Sequence, residues 1–278
     1  MTALADRLGY GADDCLVILT CDNLGRTHAA NVAVYEAMRN GLATGATLMV
    51  PCPWARAAAS HYRGEDVGVH LTLNAELDLY RWGPITYAPS LLDGDGGFPR
   101  TVADLWDHAD TEEVRRECRA QIERAILWGF DITHLDSHLG ALIQRPEFFD
   151  VYLELAVEMA LPVRLDDIES QTAVGFPFRD LARDAGILSP DRVVGIGRRP
   201  PRQILEQVIF DLEPGVTEIC IQPAIETPEL RDLDPAWARR VEEYELVTND
   251  RDFADLVDRS GADRIGYARL RAAQQAGR

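Results

Sequence analysis

The chain has no lysine. All 28 of its basic side chains are arginines, set against 46 aspartates and glutamates in 278 residues. The missing lysine reads as genomic composition rather than mechanism. The shortage of positive charge does exclude partners: a net charge of −18 repels nucleic acid and anionic membrane surfaces. It names no substrate, because the same acidity serves solubility. Long apolar runs are also missing, and none approaches the roughly 20 residues of a membrane span. Met1 to Gly11 have neither a basic nor an apolar region, so no signal peptide is expected. Cysteine is sparse. Cys15, Cys21, Cys52, Cys118 and Cys220 are odd in number and fit no zinc spacing. Reduced thiols and a cytoplasmic location are therefore expected.

What is present is an α/β alternation. The apolar run Leu16–Leu19 predicts a strand buried on both faces, ending in Thr20, Cys21, Asp22 and Asn23 before Gly25. Helical spacing follows over 27–40, with Gly41 as its stop. Further strands are predicted at 45–50, 66–73, 130–135, 162–165, 192–195, 217–222 and 264–267. Helices are predicted at 54–62, 111–128, 148–160, 179–185, 202–212, 236–246 and 251–258. Residues 74–100 fit neither period and read as a long loop with Tyr80, Trp82 and Tyr87. No linker or repeat divides the chain, so 1–278 is read as one domain. Seven or eight short parallel strands favour a barrel over an open sheet.

Three polar clusters fall at predicted strand C-termini: Asp22-Asn23, His70, and Thr133-His-Leu-Asp-Ser-His138. Parallel α/β folds build their sites at that end. Aspartate and asparagine are also favoured helix caps, and a single histidine in an apolar strand is often a core residue. Two such strands beside an Asp-Asn pair point instead to convergence. His134, Asp136 and His138 alternate by two, so on a strand they share a face. Imidazoles with a carboxylate suit a divalent metal, zinc first, and metal-assisted hydrolysis of an amide or ester.

Asp22-Asn-Leu-Gly25 with Asn31, Gly41–Val50, Gly68–Leu73, Thr133–His138 and Gly215–Pro223 together resemble the YdjC/ChbG-like carbohydrate deacetylases, in the family's order. The resemblance implies a deviant (β/α) barrel of the polysaccharide-deacetylase type. It implies removal of acetyl groups from N-acetylated amino sugars or oligosaccharides with a divalent metal, zinc or magnesium. Homodimers are common in that family. Asp22 matches the catalytic base, and His70 and His138 match metal ligands. His134 and Asp136 match residues near the site, and Arg164 matches a basic residue after the fifth strand.

Two positions depart from the family pattern. Asn23 stands where the family has a metal-binding aspartate, and Gln222 where it commonly has a histidine suited to general-acid work. The amide of Asn23 brings no charge to a metal, and glutamine has no useful pKa. The candidate metal ligands are His70 and His138 with help from Asn23 or Asp22; should Asp22 turn to the metal, Asp136 is the next candidate for the base, while Trp82, His134, Arg164 and Gln222 are candidate substrate contacts. Three readings follow: a metal-dependent deacetylase with altered or impaired chemistry, a barrel turned to metal-free acid–base chemistry on a small metabolite, and a non-catalytic sugar-binding barrel.

Overall fold

The structure is a computed structural model, and it describes residues 3–197 and 199–277. Among these, seven strands form one sheet: β1 (Cys15–Leu24), β2 (Gly45–Leu48), β3 (Val67–Leu71), β4 (Ile132–Ser137), β5 (Arg192–Gly195), β6 (Gly215–Ile221) and β7 (Asp263–Arg264). Their order is β4-β3-β2-β1-β6-β5, with β7 added beside the start of β1, and every pairing is parallel. β4 and β5 end the sheet, with a single bridge to Val163 outside β4, so the barrel is incomplete. It is nevertheless strongly curled. Arg164, just beyond the β4 edge, reaches Asp22 on β1 and Glu218 on β6. The expected deviant barrel is the observed architecture.

Alternation along β1 divides the interior into two environments. Val17, Leu19 and Cys21 join the large apolar core shared with the surrounding helices. Leu16 and Ile18 face the other way and pack with Val216, Tyr267, Ala5 and Leu8. That second cluster makes a dry floor at the N-terminal end of the strands. The same face continues upward as Thr20 and Asp22, so polarity begins where the floor ends.

Several predicted elements change on folding. The segment 162–165 is not a strand but a single bridge, Leu135 to Val163. Leu135 bonds Pro162 O and Arg164 N, while Val163 N turns away to Leu188 O, which stops the ladder. The last predicted strand shrinks to Asp263–Arg264, because Tyr267 starts a helix running to Ala276. The long helix Thr111–Leu127 starts directly after its side-chain cap, Asp110. Asp110 accepts from Glu112 N and Glu113 N. Short helices at Val102–His108, Ile168–Val174 and Pro228–Leu233 have no counterpart in the sequence pattern.

The segment 74–100 is irregular apart from one short turn of helix, Pro89–Leu91, yet it is firmly held. Glu117 is fully buried and accepts from Ile85 N, Thr86 N and the Thr86 hydroxyl. Asn74 donates to Pro99 O and Thr101 O, and Gln121 bonds both backbone groups of Thr72. These bonds fix the first residues after β3 directly above the strand ends. Among the described residues, no helix is long and apolar enough to cross a membrane.

Candidate active site

The site begins with a bulge. β1 and β2 pair at Cys21 with Ala46 and next at Leu24 with Leu48, so β1 takes three steps where β2 takes two. The extra residue falls in Asp22-Asn23, and Asn23 adopts φ +70°, a left-handed conformation that asparagine tolerates. Gly25 then turns the chain at φ +90°. A Cβ there would lie 2.9 Å from Ala55 Cα. The turn is pinned by Asn31, whose Oδ1 accepts from Gly25 N at 2.7 Å and whose Nδ2 donates to Trp54 O. Asn31 thus fixes the loop that presents Asp22 and Asn23.

Above the apolar floor lies a buried charged layer centred on Arg164. Its Nη1 donates to both oxygens of Asp22, at 2.9 and 3.0 Å, and to Asp136 Oδ2 at 2.6 Å. Its Nε and Nη2 donate to Glu218 Oε1. Glu218 also accepts from Thr20 and from the Tyr267 hydroxyl. Burial opposes the charge on Arg164, but Asp136 and Asp22 outweigh that cost and hold it protonated. Burial alone would also raise the Asp136 carboxyl. Arg164 and His70 overcome this and keep it below the usual carboxylate range. The Thr47 hydroxyl donates to Asp22 Oδ1 at 2.9 Å.

Two imidazoles lie at the upper end of this layer. His70 Nδ1 makes a short contact with Asp136 Oδ2, and His138 Nε2 is 3.0 Å from Glu76 Oε2. An ionised carboxylate only accepts, so each imidazole directs its N–H at its carboxylate. That assigns a lone pair to His70 Nε2 and another to His138 Nδ1, and these two atoms face each other at 2.9 Å. Only a cation between them, a proton or a metal ion, satisfies both. Burial lowers the proton affinity of His138, with Glu76 opposing in part. Imidazoles bound to one zinc at about 2.0–2.1 Å have their nitrogens about 2.9–3.4 Å apart, and the observed spacing fits.

Asn23 is 2% exposed, and both its Oδ1 and Nδ2 lack a hydrogen-bond partner. A buried amide left unpaired costs about 1–3 kcal/mol, so it calls for a ligand. Asp22, His70 and Asp136 form a second possible cation cluster, with ligand atoms within 4.8 Å of one another. Arg164 Nη1 already bonds both of its carboxylates, so that space holds a cation of the protein's own. His134 Nε2 is also unpaired but lies one level lower. Next to this cluster, the atoms not satisfied by a fixed donor or acceptor are the two imidazole nitrogens that face only each other and the Asn23 amide. The residues present fit a divalent metal there.

The structure brings Asp22, His70, Asp136, His138 and Arg164 into this one cluster, with Asn23 beside Asp22 on the bulge. It sets His134 and Trp82 apart. His134 is fully buried one level lower, stacked on Tyr267 at a centroid separation of 3.7 Å and fitted against Gly68. Trp82 is 4% exposed, donates to Asn74 O, and lies under the Arg26 guanidinium, so it offers no open face to a sugar ring. Gln222 sits at the mouth. Its Oε1 accepts from Arg240, and it shares a cavity of about 240 Å³ with Asp22, Cys220, Arg239 and Glu243. Burial raises the Glu243 carboxyl, while the Gln222 N–H bonded to it works against this.

Glu218, Thr47, Glu76 and Arg26 are site neighbours that were not among the candidates from sequence. Glu218 carried a signal, since a charge in the middle of an apolar strand must be paired in the fold. Glu76 and Arg26 lie in loops and carried none.

A family model described as YdjC-like protein matches residues 16–259. The chain is 39% identical over 248 residues to a carbohydrate deacetylase of Thermus thermophilus, covering 87% of this chain and 89% of that one. It is 27% identical over 250 residues to a carbohydrate deacetylase of Thermoanaerobacter pseudethanolicus, covering 87% and 93%. A crystal structure of a putative cellobiose-phosphate cleavage protein from Enterococcus faecalis superposes with a TM-score of 0.79 at 26% identity, covering 92% of this chain and 99% of that one.

Proposed function

The chain belongs to the YdjC-like family, and from that premise we propose that it is a metal-dependent hydrolase removing acetyl groups from N-acetylated amino sugars or their oligomers. The observation that carries this reading is the pair of lone-pair nitrogens, His70 Nε2 and His138 Nδ1, facing each other at 2.9 Å. These two atoms and the amide oxygen of Asn23 are the groups assigned to hold the metal. When bound, a divalent ion supplies Lewis acidity that polarises an acetyl carbonyl and acidifies water.

The protein's own groups supply the rest. Asp22 is the base. Arg164 bonds both its oxygens and the Thr47 hydroxyl bonds one, so its carboxylate is aimed before substrate arrives. Asp136 is assigned to positioning. Its Oδ1 accepts from Ser137 N and its Oδ2 from His70 and Arg164, which fixes the His70 tautomer. Gln222 cannot donate a proton as an acid, and its amide oxygen is held by Arg240. The proton taken up by Asp22 is therefore the one returned to the leaving amine.

Acetate release from N-acetylglucosamine oligomers is the test. Chelator-treated protein should release none, and zinc, nickel or magnesium should restore it. Asn23 and Gln222 keep the metal-free acid–base reading in view. Turnover that persists in chelator-treated protein and is lost in Asp22→Ala would favour it, and sugar binding without turnover would favour the non-catalytic barrel.

A further inference from the structure

We infer that Glu76 is a positioning residue for the metal centre, supplying from one shell out the negative charge that Asn23 does not provide directly. The inference rests on the metal-dependent reading above.

With His70, His138 and Asn23 as ligands, every ligand is neutral. Such a set holds a divalent ion weakly unless charge is provided nearby. The structure places a carboxylate behind each imidazole, each shared with an arginine, Asp136 with Arg164 and Glu76 with Arg26. Asp136 backs His70, and Glu76 backs His138 through Oε2 at 3.0 Å from Nε2. The two arrangements are alike: a carboxylate takes the proton on the far nitrogen, and the near nitrogen is left free to bind. Asp136 comes from the sheet. Glu76 comes from the irregular segment after β3, and nothing in its local sequence marks it out.

Its placement is nonetheless built. Arg26 is 4% exposed and its Nη2 lies 3.0 Å from Glu76 Oε1, so the two carboxylate oxygens have separate, assigned partners. Arg26 is in turn flanked by Trp82, 5.7 Å from its ring centroid, and by Asp234 at 3.7 Å. The Tyr80 hydroxyl donates to Arg26 O. Trp82 and Tyr80 thereby join a chain of contacts that ends on His138. Their part in the site is to hold Arg26, which holds Glu76.

Glu76→Gln is nearly isosteric. It removes the charge while leaving an amide oxygen able to accept from His138, so it separates charge from shape. Zinc affinity of the chelator-treated full chain should be measured by calorimetry, with the visible spectrum of the cobalt-substituted protein as a second readout. Glu76→Gln should raise the zinc Kd by about 10–100-fold and shift the cobalt bands. Asn23→Asp should return the double variant to within about tenfold of wild type. Melting of the metal-free proteins shows whether each variant folds; if Glu76→Gln does not, Glu76→Asp, too short to reach His138, is put through the same two readouts with the same loss expected. An unchanged Kd and unchanged cobalt bands in Glu76→Gln, with wild type binding zinc, overturn this inference and leave the metal-dependent reading standing. A double variant as weak as Glu76→Gln alone overturns the compensation by charge. Absence of zinc binding in wild type overturns both.

Discussion

Two regions of the barrel interior lie next to each other and differ in how completely their polar groups are paired. Around Arg164, three carboxylates, a guanidinium, a phenol and two hydroxyls satisfy one another with almost nothing left over. At the upper end of this group, two imidazole lone pairs face each other, and the side-chain amide of Asn23 has no hydrogen-bond partner. The difference teaches where to look for a ligand. Charge density alone points to the carboxylates, but their demand is already met from within the chain. Unmet demand points to the imidazoles and the amide.

Breaking the paired region should have the largest effect on stability. Arg164→Met leaves Asp22, Asp136 and Glu218 buried without their cation, and should cost about 3–5 kcal/mol in urea unfolding. A loss under about 1 kcal/mol would mean these carboxylates are already protonated or hydrated. Asp22→Asn sharpens the comparison from the chemical side. It should lower kcat/KM by about 10²–10⁴-fold while zinc affinity stays within a few-fold, because the proposed base and the proposed ligands are separate groups. Equal loss of both would place the metal on Asp22.

Gly68→Ala probes the level beneath. Its Cβ would fall 2.5 to 2.6 Å from three atoms of the His134 ring, which Tyr267 backs by stacking. A penalty of about 1–3 kcal/mol is expected in the same unfolding assay. Asn23→Asp should act in opposite directions with and without metal. Metal-free protein should lose about 1–2 kcal/mol from an added, unpaired buried carboxylate, and zinc should more than restore it. A variant stabilised without metal would show that Asn23 is not part of the unmet demand.

The smallest effect is a pH slope. His134 is buried, and burial together with nearby Arg164 holds its pKa well below the ordinary value. Its unfolded form takes up a proton near pH 6.5 and its folded form resists, so the unfolded state binds more protons as pH falls. Stability should therefore decline below about pH 6.5, by at most about 1.4 kcal/mol per unit for this one group. His134→Phe should flatten that part of the curve relative to wild type, read from melting temperatures at pH 7.5 and 5.5.

Much of the fold was legible because its signals are periodic. The apolar alternation of β1 and the helical spacing of 28–40, 111–127 and 237–248 survive in the structure with shifts of a residue or two. Short helices such as Ile168–Val174 were not legible. Their one or two turns hold too few apolar positions to set a period, and a side-chain cap such as Asp167 decides them. Strand-end position and parity were enough to expect Asp22, His70, Asp136 and His138 close together, and the structure clusters them. Parity alone misplaced His134: it shares their face but sits one level down, where Tyr267 covers it. The partners that set tautomers, Glu76 above all, were invisible because tertiary packing of a loop brings them in.

The position of the bound metal decides between the unpaired region and the carboxylates. Anomalous diffraction at the zinc edge, from crystals of chelator-treated protein reloaded with zinc, tests it most directly. One peak bonded to His70 Nε2 and His138 Nδ1 is expected. A peak between Asp22 and Asp136 with Arg164 displaced, or no peak at a zinc concentration that supports activity, would contradict it.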